Sequence, residues 1–562
     1  MPSIQTYDVT IIGGGPVGLL LAYQLTRFGL GVCVVEKQNK ASPEGRYGRA
    51  ITLFPRTLEL LDQLDLVGPI LQQGFACRSS VTYKDGVQQL PGKVWTFMEN
   101  IQGTVFDFAL VLRQMFTEDI LRERLGRRAV YHDSMECVGF EVDEGDGDYA
   151  VNASCVGVET GERVLIKSKY LVGADGGHSF VRRHADIPFD GDSSEDQWIR
   201  IDGIVETDMP IHRAYGAIET TTHGNVLWAP LDHGATRIGY AYTPEIAAKY
   251  PDGATEEVAV NEAIECLRPF NLKFKEVHWW TLYKISQRMA RSFSSHHNRI
   301  FLCGDAAHTH SSGAAQGLNT GIHDAVNLAW KLALEIAGLA HPDVLDTYTT
   351  ERQSAVQRLL NYDKDISLLM THKWPAWYDG DPNADPNLLL GEIFEQAAPF
   401  NTGLGISYPS NILNRVQNSS SSVQPGTRAP DTHLTAPGTF ESVRLHRVLR
   451  NQGRFHILLF TGTETRSVIP TFLSLREYLV TVCPELERHR AVDWLTICGA
   501  VGCSPYEVLG IQPFGDTYFD AKGEGHRAYG VDLQKGGVVV IRPDGLVGFV
   551  AGLEGAGVRD YF

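Results

Sequence analysis

The 562-residue chain is poor in cysteine, with nine in all, and no two have the two-residue spacing of a redox or zinc motif. The nearest pair, Cys498 and Cys503, has four residues between it. A disulfide framework is excluded at that density, and thiols in a reducing compartment are expected. No Lys or Arg precedes Arg27, so the basic start of a secretory signal is missing. Long hydrophobic runs are missing too. The best, Val9 to Tyr23, is interrupted by Gly13-Gly14-Gly15-Pro16 and falls short of the roughly 20 residues a membrane span needs. Cations are in deficit, 50 Lys+Arg against 67 Asp+Glu, for a formal net charge of −17. That disfavours a phosphate-backbone partner, which requires clustered cations. The expectation is a soluble, cytoplasmic protein with neither nucleic acid nor membrane as partner.

What the chain does have is an ordinary globular composition, 43% apolar and 21% charged, enough for a sizeable core. Val9 to Ile12 reads as a buried strand ended by glycines, residues 17–28 as a helix closed at Gly29, and Leu30 to Glu36 as a second strand. Between the first strand and the helix stands Gly13-x-Gly15-x-x-Gly18. In such a loop the first glycine makes the tight turn. The second lets a pyrophosphate approach the backbone, and the third lets helix and strand pack closely. Glu36 ends the second strand, where a carboxylate can accept hydrogen bonds from a ribose. The framing strands and the acid set this apart from an ordinary glycine turn, while FAD and NAD both stay open.

Two further motifs follow. Tyr170 to Arg182 is a strand running into Asp175-Gly176-Gly177, and Phe301 to His308 is a strand running into Gly304-Asp305. Gln316-Gly317-Leu318-Asn319-Thr320 then opens an amphipathic helix reaching Gly338, whose N-terminus can stabilise negative charge. Residues 110–126 also read as helical.

These motifs in this order, over roughly residues 5 to 360, resemble the FAD-dependent aromatic hydroxylases, the single-component flavoprotein monooxygenases. The tail from Pro425 is similar to the thioredoxin-like domain of the phenol hydroxylase branch, and like it lacks CxxC. The fold implied is α/β. It has a Rossmann-type, glutathione-reductase-like FAD domain interleaved with a β-sheet substrate domain, plus the C-terminal thioredoxin-like domain. The division expected is a FAD-binding body over 1–360, with the substrate sheet inserted at about 80–105 and 190–285. A helical connector and linker follow over 361–424, then the thioredoxin-like domain over 425–562.

The resemblance implies FAD as cofactor and NADPH or NADH as co-substrate, with O2 and a small aromatic as substrates and a homodimer as a possible assembly. Oxygen transfer would proceed through a C4a-hydroperoxyflavin to a phenolic or polyketide-like ring. Carried over by position, Gly13, Gly15, Gly18, Glu36 and Lys37 would hold the ADP half of FAD. Arg49, Arg113, Gln114, Asp175 and Asp305 would contact the rest of the cofactor, and Gly317, Leu318 and Asn319 would lie under the flavin edge. Trp228, Tyr240 and Tyr242 are the candidate substrate residues, with Tyr240 and Arg49 the candidate catalytic ones.

Two departures from the family pattern stand out. Ser312 occupies a position where the family commonly has proline. Ile51 and Leu231 replace an Asp and an Arg that the phenol hydroxylase branch uses on phenol, so simple phenol is not the expected substrate. Baeyer–Villiger insertion or epoxidation on the same scaffold, a flavin-dependent dehydrogenase, and a non-catalytic flavin-bound partner-binding protein are the rival readings. His308-x-His310 lacks a third suitably spaced ligand, so no metal is expected.

Overall fold

The computed structural model describes residues 4–40, 42, 50–381, 383–415, 423–463, 465–482, 491–553 and 561–562. Arg49 lies outside the described residues, as do residues 416–422 of the expected linker.

The first sheet is built on the strand Ile4–Ile12. It pairs in parallel with Val32–Val35 on one side and Arg163–Gly173 on the other. Ile300–Leu302 extends the sheet in parallel beyond Arg163–Gly173. Val32–Val35 is buried at every position, the pattern of a parallel strand covered on both faces. The helices Pro16–Arg27 and Gly317–Ile336 cross one another closely. A Cβ on Gly321 would stand 2.6 Å from Val17, so only glycine permits this approach. The expected helix over 110–126 is shorter. Ala109–Val111 is a buried strand of a small three-stranded sheet, and the helix begins at Gln114. The run Ala109-Leu110-Val111 completes that sheet rather than opening a helical turn.

The second sheet has eight strands and draws on distant parts of the chain, including Ser80–Lys84, Tyr215–Thr220, Gly224–Pro230 and Thr236–Tyr242. Two 19-residue antiparallel strands, Phe189–Thr207 and Leu272–Ala290, connect it to the body. One face of this sheet packs under the helix Glu256–Cys266.

The third sheet holds Phe455–Phe460, Val492–Cys498 and Asp516–Phe519 in parallel, then Gly537–Ile541 and Val547–Ala551 antiparallel. Arg542, Glu351, Lys331 and Asp544 form a buried charge cluster joining it to the helices Gly317–Ile336 and Asp343–Met370. The latter helix runs without a break across position 360. Among the described residues, every cysteine is free, no helix is long and apolar enough to cross a membrane, and no cluster of metal-binding side chains occurs.

Candidate active site

The glycine loop follows directly from the strand that ends at Ile12. Gly13 has φ +112°, and a Cβ there would stand 2.2 Å from the Ala174 carbonyl oxygen. A Cβ on Gly18 would stand 2.0 Å from the Gly13 carbonyl oxygen, so the helix is seated hard against the loop. Gly15 differs. A Cβ there meets nothing within 4 Å, and no side chain caps the helix that starts at Pro16. An open space in front of an uncapped helix N-terminus is the place for a pyrophosphate. Glu36 is buried beside it and accepts from the Gly14 amide at 2.6 Å and the Gln38 amide at 2.7 Å. Lys37 is drawn elsewhere, into an exposed ion pair with Glu136 at 2.7 Å.

A second uncapped helix start lies at Gly317. The Asn319 side chain does not project from it. Its Oδ1 accepts from the Phe54 amide (2.9 Å), and its Nδ2 donates to the Thr52 and Ala315 carbonyls (3.0 Å each). Leu318 is buried beside it, which leaves backbone amides as what this terminus can offer. His310 lies close by, with Nδ1 on the Ser311 carbonyl at 2.8 Å and a buried Nε2 that has no hydrogen-bond partner. Asp305 is exposed in the turn after Ile300–Leu302. The open cradle at Gly15, the two uncapped helix starts, the orphaned His310 Nε2 and the exposed Asp305 carboxylate fit a long phosphate-bearing cofactor such as FAD.

Other expected cofactor residues are committed within the protein. Asp175 accepts from Ser179 Oγ (2.6 Å) and from the Phe180 and Val181 amides (2.7 and 3.1 Å), so it tethers the start of the helix Phe180–His184. Burial pushes its carboxyl up from the usual range. Arg113 gives both its backbone amide and its guanidinium to the buried Asp232, reaching into the second sheet. Gln114 donates to Glu118 at 2.8 Å.

The candidate substrate residues need correcting by one face of the sheet. Alternation does put Tyr240 and Tyr242 on one side, but that side lies under the helix Glu256–Cys266. Tyr240 is fully buried and donates to the Ala259 carbonyl at 2.9 Å, and Trp228 is fully buried and donates to the His212 carbonyl at 2.8 Å. Tyr242 packs in the same cluster. Their large apolar surfaces are what glues helix to sheet.

The opposite face opens onto a cleft. Trp95, Leu227, Met370, Leu390 and Phe394 supply apolar lining, and Arg200, Ser312 and Gly313 supply the polar edge. Arg200 Nη2 donates to Ser312 Oγ at 3.2 Å, and Ser312 also bonds the Tyr283 hydroxyl. Asp363 pins this loop, accepting from the Ser311 amide (2.7 Å) and Ser311 Oγ (2.5 Å). Sequence reasoning missed Arg200. The signal was present in Ile199-Arg200-Ile201-Asp202, where charges alternate with isoleucines and mark a polar inner face. The third motif, through the same short loop, thus places an apolar cleft with a cationic edge next to the helix N-terminus at Gly317.

A nucleotide cradle, a charge-stabilising helix start and an adjoining apolar cleft together define a flavin-dependent oxidoreductase. The comparisons agree: residues 6–363 match the family described as FAD binding domain, and the chain belongs to it. Residues 511–562 match the family described as phenol hydroxylase, C-terminal dimerisation domain. The chain is a FAD-dependent monooxygenase of the aromatic hydroxylase type, with NAD(P)H as co-substrate.

Among its relatives is 3-hydroxybenzoate 4-monooxygenase of Comamonas testosteroni, 28% identical over 99% of this chain and 94% of that one. Another is 6-methylpretetramide 4-monooxygenase of Streptomyces rimosus, 33% identical over 66% of this chain and 63% of that one. Aklavinone-11 hydroxylase, solved in a ternary complex with FAD and aklavinone, shares the fold. Its TM-score is 0.74 at 19% identity, covering 100% of this chain and 98% of that one.

Proposed function

We propose that the chain hydroxylates a phenolic or polyketide-like aromatic held in the cleft beside Ser312, with NADPH or NADH as reductant and O2 as the oxygen source. The observation that carries this reading is the cleft itself. It is lined mainly by apolar and aromatic side chains and joined to the helix N-terminus at Gly317 by the pinned Ser311-Ser312-Gly313 loop. The relatives named above point the same way, being named for 3-hydroxybenzoate, 6-methylpretetramide and aklavinone.

In this reading Gly13, Gly15 and Gly18 leave room for the pyrophosphate of FAD at the start of the helix Pro16–Arg27. Glu36 holds the loop closed from behind, and Asp305 accepts hydrogen bonds from the ribityl chain. The first-turn amides of the helix Gly317–Ile336 stabilise negative charge in front of them. FAD, when bound, supplies hydride acceptance and oxygen activation. The protein's part is to orient the aromatic ring and exclude water. Trp95, Leu227 and Phe394 clamp the ring, and Arg200 and Ser312 fix its polar end. The enzyme works as a cytoplasmic homodimer assembled through its C-terminal region.

The test is NADPH oxidation by the FAD-loaded enzyme over a series of phenols, hydroxyaromatic acids and aromatic ketones, with product and peroxide both measured. Hydroxyaromatics should accelerate oxidation and yield hydroxylated product. Acceleration by ketones alone, with ester or lactone as product, would overturn the reading.

A further inference from the structure

Buried guanidinium groups in this protein are matched by carboxylates. Arg56 pairs with Glu59, Arg113 with Asp232, Arg237 with Asp202, Arg352 with Asp324 and Arg542 with Glu351, each within 3.1 Å. Such pairing is expected, because removing a charge from water costs several kcal/mol unless an opposite charge and hydrogen bonds replace the solvent. Arg182 and Arg200 have no such partner among the described residues. Arg182 instead donates to the Ala306 and Gly177 carbonyls and lies over the Phe189 ring, 3.7 Å from its centre.

Arg200 is different again. It is 5% exposed and lines the cleft. Its hydrogen bonds go to the Ile199 carbonyl and to Ser312 Oγ, both at 3.2 Å. Burial lowers its pKa below the usual range, as expected of a cation short of an anion. The seat beneath it is specific. A Cβ on Gly239 would stand 2.3 Å from Arg200 Nη1, so the neighbouring strand leaves a gap that the guanidinium fills. Trp198 and Tyr283 flank it, their ring centres 5.3 and 5.7 Å away. The fold has therefore built a buried cation and aimed it into an apolar cleft, next to two hydroxyl groups and, among the described residues, with no carboxylate in ion-pair contact.

We propose that the ligand supplies the missing anion: Arg200, with Ser312 beside it, selects aromatic substrates that enter as oxyanions, a ring bearing a carboxylate or an acidic enol. A planar guanidinium fork matches such a group better than it matches a neutral phenol. This rests on the reading of the cleft as the substrate site, and it adds what that site prefers.

The test uses the FAD-loaded enzyme and follows binding by flavin fluorescence without NADPH, so that affinity is read apart from turnover. The ligands are 3-hydroxy-2-naphthoate, its methyl ester and 2-naphthol, with 1,3-cyclohexanedione as an acidic enol free of carboxylate. The wild type should bind the acid about ten- to a hundredfold more tightly than the ester, the range of a charged hydrogen-bonded contact. Arg200→Met should abolish that preference while retaining FAD, and Arg200→Lys should keep part of it. Tighter binding of the dione than of 2-naphthol, again lost in Arg200→Met, would assign the contact to enolates as well.

Equal binding of acid and ester, or a preference that survives Arg200→Met, would overturn the proposal. So would a failure to bind any of the four ligands. The function proposed for the cleft is judged separately. Hydroxylation of neutral phenols, together with equal binding of the acid and its ester, would refute the anion preference and leave that function standing.

Discussion

Replacing Arg542 with leucine should uncouple the C-terminal unit from the flavin body. Arg542 is fully buried and makes five hydrogen bonds: two to Glu351 (2.5 and 2.9 Å), two to Asp544 (3.0 and 2.6 Å) and one to Asn414 (2.8 Å). Leucine fills much of the space but leaves Glu351 buried with Lys331 as its remaining cation, at 2.8 Å. Breaking a buried pair on one side costs about 3–5 kcal/mol, because the surviving charge stays desolvated.

The pH dependence has a definite sign. Burial pushes the Glu351 carboxyl up, but Arg542 and Lys331 outweigh it and hold the group well below the usual carboxylate range. A folded-state value below the unfolded one, about 4.3, gives stability that is fully present above it. That stability is lost as pH falls through the folded value. Urea unfolding followed by tryptophan and flavin fluorescence should show the full gap between wild type and variant at pH 7. The gap should still be open at pH 5 and should narrow in more acidic buffer. Arg291→Ala, which breaks an exposed pair with Asp190, is the control and should leave the midpoint in place. A loss below about 1 kcal/mol, the scale of surface pairs, would refute the claim that this cluster joins the two units. A gap that widens on acidification would do the same.

Other positions give sharper local tests. Gly15→Val places its side chain in open space, so the protein should keep its unfolding midpoint and lose FAD, measured by absorbance after desalting. Gly18→Ala drives a methyl group into the Gly13 carbonyl and should lower the midpoint instead; equal behaviour of the two variants would contradict the cradle assignment. Tyr240→Phe removes a hydroxyl bonded to the Ala259 carbonyl, so stability should fall by about 1 kcal/mol with substrate affinity unchanged. A large rise in Kd with intact stability would restore Tyr240 to the substrate site.

The nucleotide-binding half was readable because its requirements are local. Gly13, Gly15 and Gly18 have distinct steric roles that a short stretch of sequence declares, and the uniformly apolar Val32–Val35 declares a buried parallel strand. In the C-terminal region the Arg542-Pro543-Asp544-Gly545 turn joins the strands of the last hairpin.

The cleft was not readable in the same way. Alternation assigns Tyr240 and Tyr242 to one face, but which face a distant helix covers depends on Glu256–Cys266 folding back over the sheet. The Arg113 partnership was hidden for a related reason. Its partner, Asp232, is 119 residues away, and nothing near Arg113 announces it. The contact between Arg542 and Glu351, 191 residues apart, is likewise announced by nothing near either residue.

The central claim, that this fold delivers oxygen from O2 to an aromatic ring, is tested most directly by turnover under 18O2. The FAD-loaded enzyme is supplied with NADPH and 3-hydroxy-2-naphthoate, and the product is analysed by mass spectrometry. The account predicts one 18O atom in each product molecule and NADPH consumption equal to product plus peroxide. An unlabelled product, or the same rate of turnover without oxygen, would contradict it.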